Sequence, residues 1–274
     1  MHILPRKTDF YEIVGDNLEM LKVMVGGPHR LFAEAGKIIY NKGSVKMESR
    51  LPEQGGGGGV LGKLMGAGKR LLAGESIFFT FYEGQGEVGF AGDFPGRIMA
   101  IGLEGQSILA QRDAFIAAVG NIDVTIALQR KIGGALFGGE GFILEKISGD
   151  GVVFIHAGGD LFNFDLKAGE TMLVDTGSSV AWDETVQFDV QTVGSIRSAI
   201  FGGEGIFLTT LTGPGQVIVQ TMTLAKLRRQ IGYSGTGKNE TSGSMLGTAA
   251  GIGGIAAGAG TILGSLLKGG DSED

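Results

Sequence analysis

FGGEGFILEKISGDGVVFIH, residues Phe137–His156, is the stretch on which the reading of this chain turns. Two other stretches lie over it: LAGESIFFTFYEGQGEVGFA from Leu72 to Ala91, and FGGEGIFLTTLTGPGQVIVQ from Phe201 to Gln220. In each, a glutamate after glycine (Glu75, Glu140, Glu204) is followed nine residues later by Gly-x-Gly (Gly84/Gly86, Gly149/Gly151, Gly213/Gly215). The period is 65 and then 64 residues, and such self-similarity marks a chain built of repeated units. The flanking residues are β-branched and aromatic, as in Phe207–Thr210 and Val217–Val219, so each stretch reads as a β-hairpin turning at its glycines. Gly213-Pro214-Gly215 suits a type II turn, with proline presetting φ and glycine free to take φ > 0.

The segments between them match as well. GQSILAQRDAFIAA (Gly105–Ala118) aligns with GETMLVDTGSSVAW (Gly169–Trp182) at an offset of 64, both reading as strand, polar turn, strand. GKIIYNKGSVKME (Gly36–Glu48) is a third copy, with its turn expected at Asn41-Lys42-Gly43. Helical periodicity is nearly absent between Phe10 and Thr223. The expectation is an all-β protein: an antiparallel β-sandwich of three repeats of about 65 residues with pseudo-threefold symmetry. Trp182 and Phe188 belong to its core.

Composition narrows the function. The 274 residues include 52 glycines, 5 prolines and no cysteine, with 43% hydrophobic and 19% charged residues. That is enough apolar matter for a core, and the missing cysteines exclude disulfide frameworks, zinc-thiolate sites and thiol nucleophiles. A net charge of −6 disfavours nucleic acid as a partner. The N-terminus has no apolar run after its charges, so a cytoplasmic location is expected, peripheral to membrane if the tail described below engages one.

Two segments interrupt the repeats. Residues 51–73 contain five consecutive glycines, Gly55–Gly59, and continue as a short basic amphipathic helix with Leu64, Lys69 and Arg70 as its contact residues. Residues 1–232 are thus expected to form the β domain and 233–274 a glycine-rich linker and tail. Within the tail, Met245–Leu267 is uncharged, and Ile252, Ile255, Ile262 and Leu266 fall on one helical stripe. So much glycine costs an isolated helix about 1 kcal/mol per residue, so this segment needs a membrane, a partner or a second copy to become ordered.

Several motifs resemble chemistry without supplying it. Gly57-x4-Gly62-Lys63 has Leu64 where a P-loop needs serine or threonine. Gly84-x-Gly86-x-x-Gly89 continues as a strand, not into the helix that a dinucleotide fingerprint requires. Glu75, Glu140 and Glu204 would meet near a threefold axis as a carboxylate set, but no histidine or aspartate repeats beside them to complete a metal site. His156 stands where the other repeats carry Ala91 and Gln220, which fits a structural role. No triad is present, so no enzyme activity and no cofactor is expected.

The GGEGFILEKISGDGVVFIHAGG and GGEGIFLTTLTGPGQVIVQ segments resemble the altered-inheritance-of-mitochondria protein 24 family, and the resemblance covers nearly all of residues 10–223. It implies a fold similar to the tryptophan-RNA-binding attenuation protein (TRAP-like), and its mitochondrial members are associated with inner-membrane organisation. It implies no catalytic residue. The functional expectation is a scaffold or interaction module that engages a protein partner, a second copy or a membrane surface. The alternative is a module binding a small ligand or RNA in clefts between repeats.

Overall fold

The computed structural model describes residues 1–50, 78–130, 142–193 and 206–233. Met1–Gln230 form one compact unit and Ile231–Asp274 a second. The first unit opens with strands β1 (His2–Ile3), β2 (Tyr11–Val14), β3 (Met20–Val25) and β4 (Leu31–Glu34). Long strands follow: β5 (Ile38–Arg50), β6 (Phe79–Ala91), β7 (Gly96–Gln111), β8 (Phe115–Arg130) and β9 (Phe142–Leu166). The C-terminal part holds β10 (Thr171–Asp175), β11 (Ser179–Asp183), β12 (Gln187–Val193), β13 (Ile206–Thr212) and β14 (Gly215–Met222). Helix α1 (Leu224–Tyr233) comes last. The protein is all-β with antiparallel strand pairing, as the repeats lead one to expect.

An eleven-stranded sheet runs β1-β7-β11-β14-β9-β8-β4-β6-β3-β2, with β5 on β6, and β10-β13-β12 form a second sheet of three strands. Strand β9 also pairs with β7, so the path β7–β11–β14–β9 closes on itself. The expected strand–turn–strand segments appear as β7 and β8 joined at a 3-10 turn, Arg112–Ala114, and β10 and β11 joined at another, Thr176–Ser178.

The hairpin expectation is overturned at all three glycine pairs. Gly84 and Gly86 lie inside β6, Gly149 and Gly151 inside β9, and the expected turn Asn41–Gly43 inside β5. These glycines mark close approach of two backbones. Val45 pairs with Gly84 and Gly43 with Gly86; Ile122 pairs with Gly149 and Gly120 with Gly151. Gly84 and Gly149 have φ of 126° and 124°. A Cβ on either would stand 2.1 Å from the carbonyl oxygen of Ser44 or Asn121. Only glycine accepts both the left-handed backbone and that proximity. At the third pair the chain does leave its ladder, through a cis Gly213–Pro214 peptide. The two arms do not pair with each other: β13 lies between β10 and β12, and β14 between β11 and β9.

Three apolar clusters fill the fold, and alternation along the central strands feeds two of them at once. Phe115, Ala118, Val153, Ile155, Ala181 and Ile218 enter the middle cluster. Their neighbours Ile116, Ala117, Val119 and Phe154 enter a second, and Trp182 and Val217 a third. Strands buried on both faces need apolar runs, not polar alternation, which accounts for FIAAV at Phe115–Val119 and VVFI at Val152–Ile155. Phe32, Phe79 and Phe115 meet with centroids 5.2–5.8 Å apart. Each such ring contributes about 2 kcal/mol by burial. Trp182 is fully buried, 5.4 Å from the half-buried Phe188, as expected of core residues.

Candidate functional site

Among the breaks between strands are residues 35–37, Arg112–Ala114 and Thr176–Ser178. Side chains stitch these breaks to their surroundings. Gln111 Nε2 donates to the Thr176 carbonyl at 2.7 Å, and Ser179 Oγ donates to the same carbonyl at 2.8 Å. Gln220 Nε2 donates to the Gly177 carbonyl at 2.8 Å while its Oε1 accepts from Gly158 N at 2.7 Å. Thr223 Oγ1 accepts from Lys226 N at 3.1 Å and so caps α1.

A cleft of about 300 Å³ opens where these pieces come together. Asp93 and Phe94, following β6, form one wall, and Gln111, Asp113 and Ala114 another. Gly177, Gln220 and the first residues of α1 with Arg228 complete the rim. His156 of β9 lies within it, 3% exposed. Its ring meets Phe94 edge-on at 4.9 Å between centroids. It also occupies the space a Cβ on Gly92 would need. Burial, reinforced by the Lys37 charge, pushes the imidazole below its ordinary pKa, against a backbone hydrogen bond with Phe94. His156 is therefore held neutral, and its Nδ1 has no hydrogen-bond partner.

A charge cluster adjoins the cleft. Lys37, 7% exposed, places Nζ 2.5 Å from Asp93 Oδ2 and 3.5 Å from Glu34 Oε2. Burial works to lower its pKa, but Glu34 and Asp93 outweigh it and hold the ammonium charged. The Glu34 carboxyl is raised by burial despite Lys37. Glu145, 1% exposed on β9, is raised well above the carboxylate range by burial, with Glu34 and Asp113 adding to the shift. One of its oxygens lacks a partner.

Glu75, Glu140, Glu204, Leu64, Lys69, Arg70, Ile252, Ile255, Ile262 and Leu266 all fall outside the described residues. Among the described residues no group of three histidine, aspartate or glutamate side chains is placed to hold a metal ion. No helix among them is long and apolar enough to cross a membrane. Gly84–Gly89 runs as β6 strand, so the dinucleotide-like match has no helix behind it. Of the basic residues of α1, Lys226 pairs with Asp175 at 3.5 Å and Arg228 lines the cleft.

Glu34, Lys37, Asp93, Asp113 and Glu145 escaped sequence reasoning because their partners are distant in the chain. One signal was present: Glu145 interrupts the apolar alternation of FILEKI at an inward position.

Comparison with known proteins agrees with this architecture. A Streptococcus pyogenes serotype M6 protein described only as uncharacterised is 30% identical over 198 residues, 71% of this chain and 77% of that one. The crystal structure of a second S. pyogenes protein superimposes with a TM-score of 0.65 at 22% identity, covering 82% of this chain and 98% of the other. The family model for mitochondrial biogenesis AIM24 matches residues 11–222, β2 through β14, so the chain belongs to the AIM24 family.

Proposed function

We propose that this protein is a non-enzymatic interaction module, a TRAP-like sandwich of three copies of one β unit whose recognition surface is the cleft where the copies meet. Supporting the three-copy reading, the 3-10 turns at Arg112 and Thr176 recur at the 64-residue offset of the sequence match. The paired glycines of β5/β6 and β8/β9 also share register and φ. The observation that carries the functional reading is the lining of the cleft: Phe94 ends the first copy, Asp113 and His156 belong to the second, and Gly177 and Gln220 to the third. Its glutamine side chains are engaged in holding the breaks together, which suits a rigid receptor. Observing the ring resonances of His156 by NMR during titration with a fragment set tests this; fragments that bind only elsewhere would refute it.

On the same reading the module works in the cytoplasm, and Met245–Leu267 brings it to a membrane surface or to a second copy. Liposome flotation and sedimentation of the full chain beside a chain ending at Tyr233 test that part. Loss of flotation or self-association with the tail is expected, and identical behaviour of the two chains would refute it.

A further inference from the structure

Strand β9 outruns two of its partners. β8 pairs with it as far as Ile155 and β7 as far as Gly158; from there to Leu166 it pairs with β14 alone among the described residues. A strand bonded on one side leaves the N–H and C=O groups of its other side open to pairing. On this segment Phe162 and Phe164 are 51% and 41% exposed. Both share a face with their register partners Val219 and Val217. Other edges of the large sheet are protected. Strands β1 and β2 are two and four residues long, and β5 carries exposed Lys42, Lys46 and Glu48. Shortness and charge are the usual guards against edge pairing. Leu161–Phe164 has neither.

We infer that this edge pairs with the same edge of a second copy, antiparallel about a two-fold axis through Asn163. A two-fold interface requires a self-complementary patch, and Leu161–Asp165 reads L-F-N-F-D. Reversed about Asn163, Phe162 faces Phe164 of the second copy and Phe164 faces Phe162 of the second copy. The two aromatic pairs lie on one face, where cross-strand pairs contribute most. Registers centred on Phe162 or on Phe164 keep one such pair, and those centred between residues keep none. Asn163 meets its own copy, and an amide with both donor and acceptor complements itself. Asp165 falls opposite Leu161, so no two carboxylates face each other. An unrelated peptide laid on this edge has no need of that symmetry, which favours a second copy as the occupant.

The chain has no cysteine, so one introduced thiol reports one contact. In the full chain, Asn163→Cys sets two thiols opposite each other at a Cα separation of about 5 Å, within the span of a disulfide. Asp165→Cys, equally exposed, sets them about 14 Å apart across the same axis. Mild oxidation should therefore link Asn163→Cys into a covalent dimer and leave Asp165→Cys monomeric, while a mixture of Leu161→Cys and Asp165→Cys gives the mixed dimer. The parent should sediment as a dimer, weakened about tenfold in Phe164→Asp. Phe164 is partly exposed, and an unchanged circular-dichroism spectrum verifies that this variant folds; the thiol comparison stands without it. A parent that sediments as a monomer would overturn the inference. So would equal cross-linking of Asn163→Cys and Asp165→Cys. A dimer undiminished in Phe164→Asp would overturn it too, and would place self-association on another surface.

Discussion

Arg97 of β7 donates from Nη1 to Glu19 Oε1 at 3.0 Å, and the carboxylate that receives it is completely shielded from solvent. The same oxygen accepts from Arg6 Nη1 at 2.8 Å, and Oε2 accepts from the buried backbone amide of Ile98 at 2.6 Å. Arg97 Nε reaches on to Asp160 Oδ1 at 2.5 Å. One carboxylate thereby ties the N-terminal segment to β7, and Arg97 carries the tie on to β9.

Glu19→Ala should therefore destabilise the domain by about 3 kcal/mol, since it orphans a buried amide and leaves two guanidinium groups without their shared anion. Glu19→Gln retains an acceptor for Ile98 N and should cost about half as much. Urea unfolding of the three proteins measures the difference. Equal stability of Glu19→Ala and the parent would show that the network contributes nothing.

Glu145 predicts a pH effect whose sign is set by its environment. Its folded carboxyl is raised well above the ordinary value of 4.5, burial being the main cause. The folded state thus holds a proton that the unfolded state releases. The contribution is complete below about pH 4.5 and is lost as pH rises from there toward the folded value. Glu145→Gln keeps the shape and has no proton to lose. It should overtake the parent in stability as pH rises toward neutrality, the gap flattening under acid conditions. Melting temperatures of both proteins across that range check this; parallel curves would contradict it. Glu34, raised in the same direction, is present in both proteins, and its charge interaction with Glu145 is part of the difference the comparison reads.

The glycines inside the long strands should be far less replaceable than positive-φ glycines with open space around them. Gly149→Ala sets a Cβ 2.1 Å from the Asn121 carbonyl oxygen at φ 124°, so the ladder must open; a loss of about 3 kcal/mol or more is expected. Gly169, at φ 76°, has nothing within 4 Å of the position a Cβ would take. Gly169→Ala should cost only the left-handed backbone penalty, about 1 kcal/mol. Comparable losses in the two variants, by urea unfolding, would rule out close backbone approach as the reason for glycine in β9.

The sole tryptophan, Trp182, is fully buried in the cluster around Leu211 and Val217. Its fluorescence in the native protein should be blue-shifted and resistant to acrylamide, and should move to the red in the same transition that abolishes β-sheet circular dichroism. Trp182→Ala should cost about 4 kcal/mol through the cavity it leaves. A native emission already at the solvent-exposed position would contradict this packing.

By itself the sequence determined what local chemistry determines. Apolar β-branched runs between polar breaks specify strands, so β7, β8, β10 and β11 and the turns at Arg112 and Thr176 were legible from their residues. The recurrence of Gly-Glu and Gly-x-Gly pointed to an all-β chain, and the apolar context of Trp182 announced a core residue. The glycine pairs were misread because a hairpin turn and a close approach between strands ask the same of a residue: φ > 0 and no side chain. Which applies at Gly84 is decided by the carbonyl of Ser44, and at Gly149 by that of Asn121, neither adjacent in the chain. Tertiary structure alone decided the cleft. Lys37 finds Asp93 56 residues away, Gln111 finds Thr176 65 residues away, and Glu145 becomes a proton-holding acid only when β7 and β8 pair along its two sides. Burial and charge proximity belong to the packed chain, because a side chain's electrostatic energy depends on what surrounds it in space and not on its neighbours in sequence.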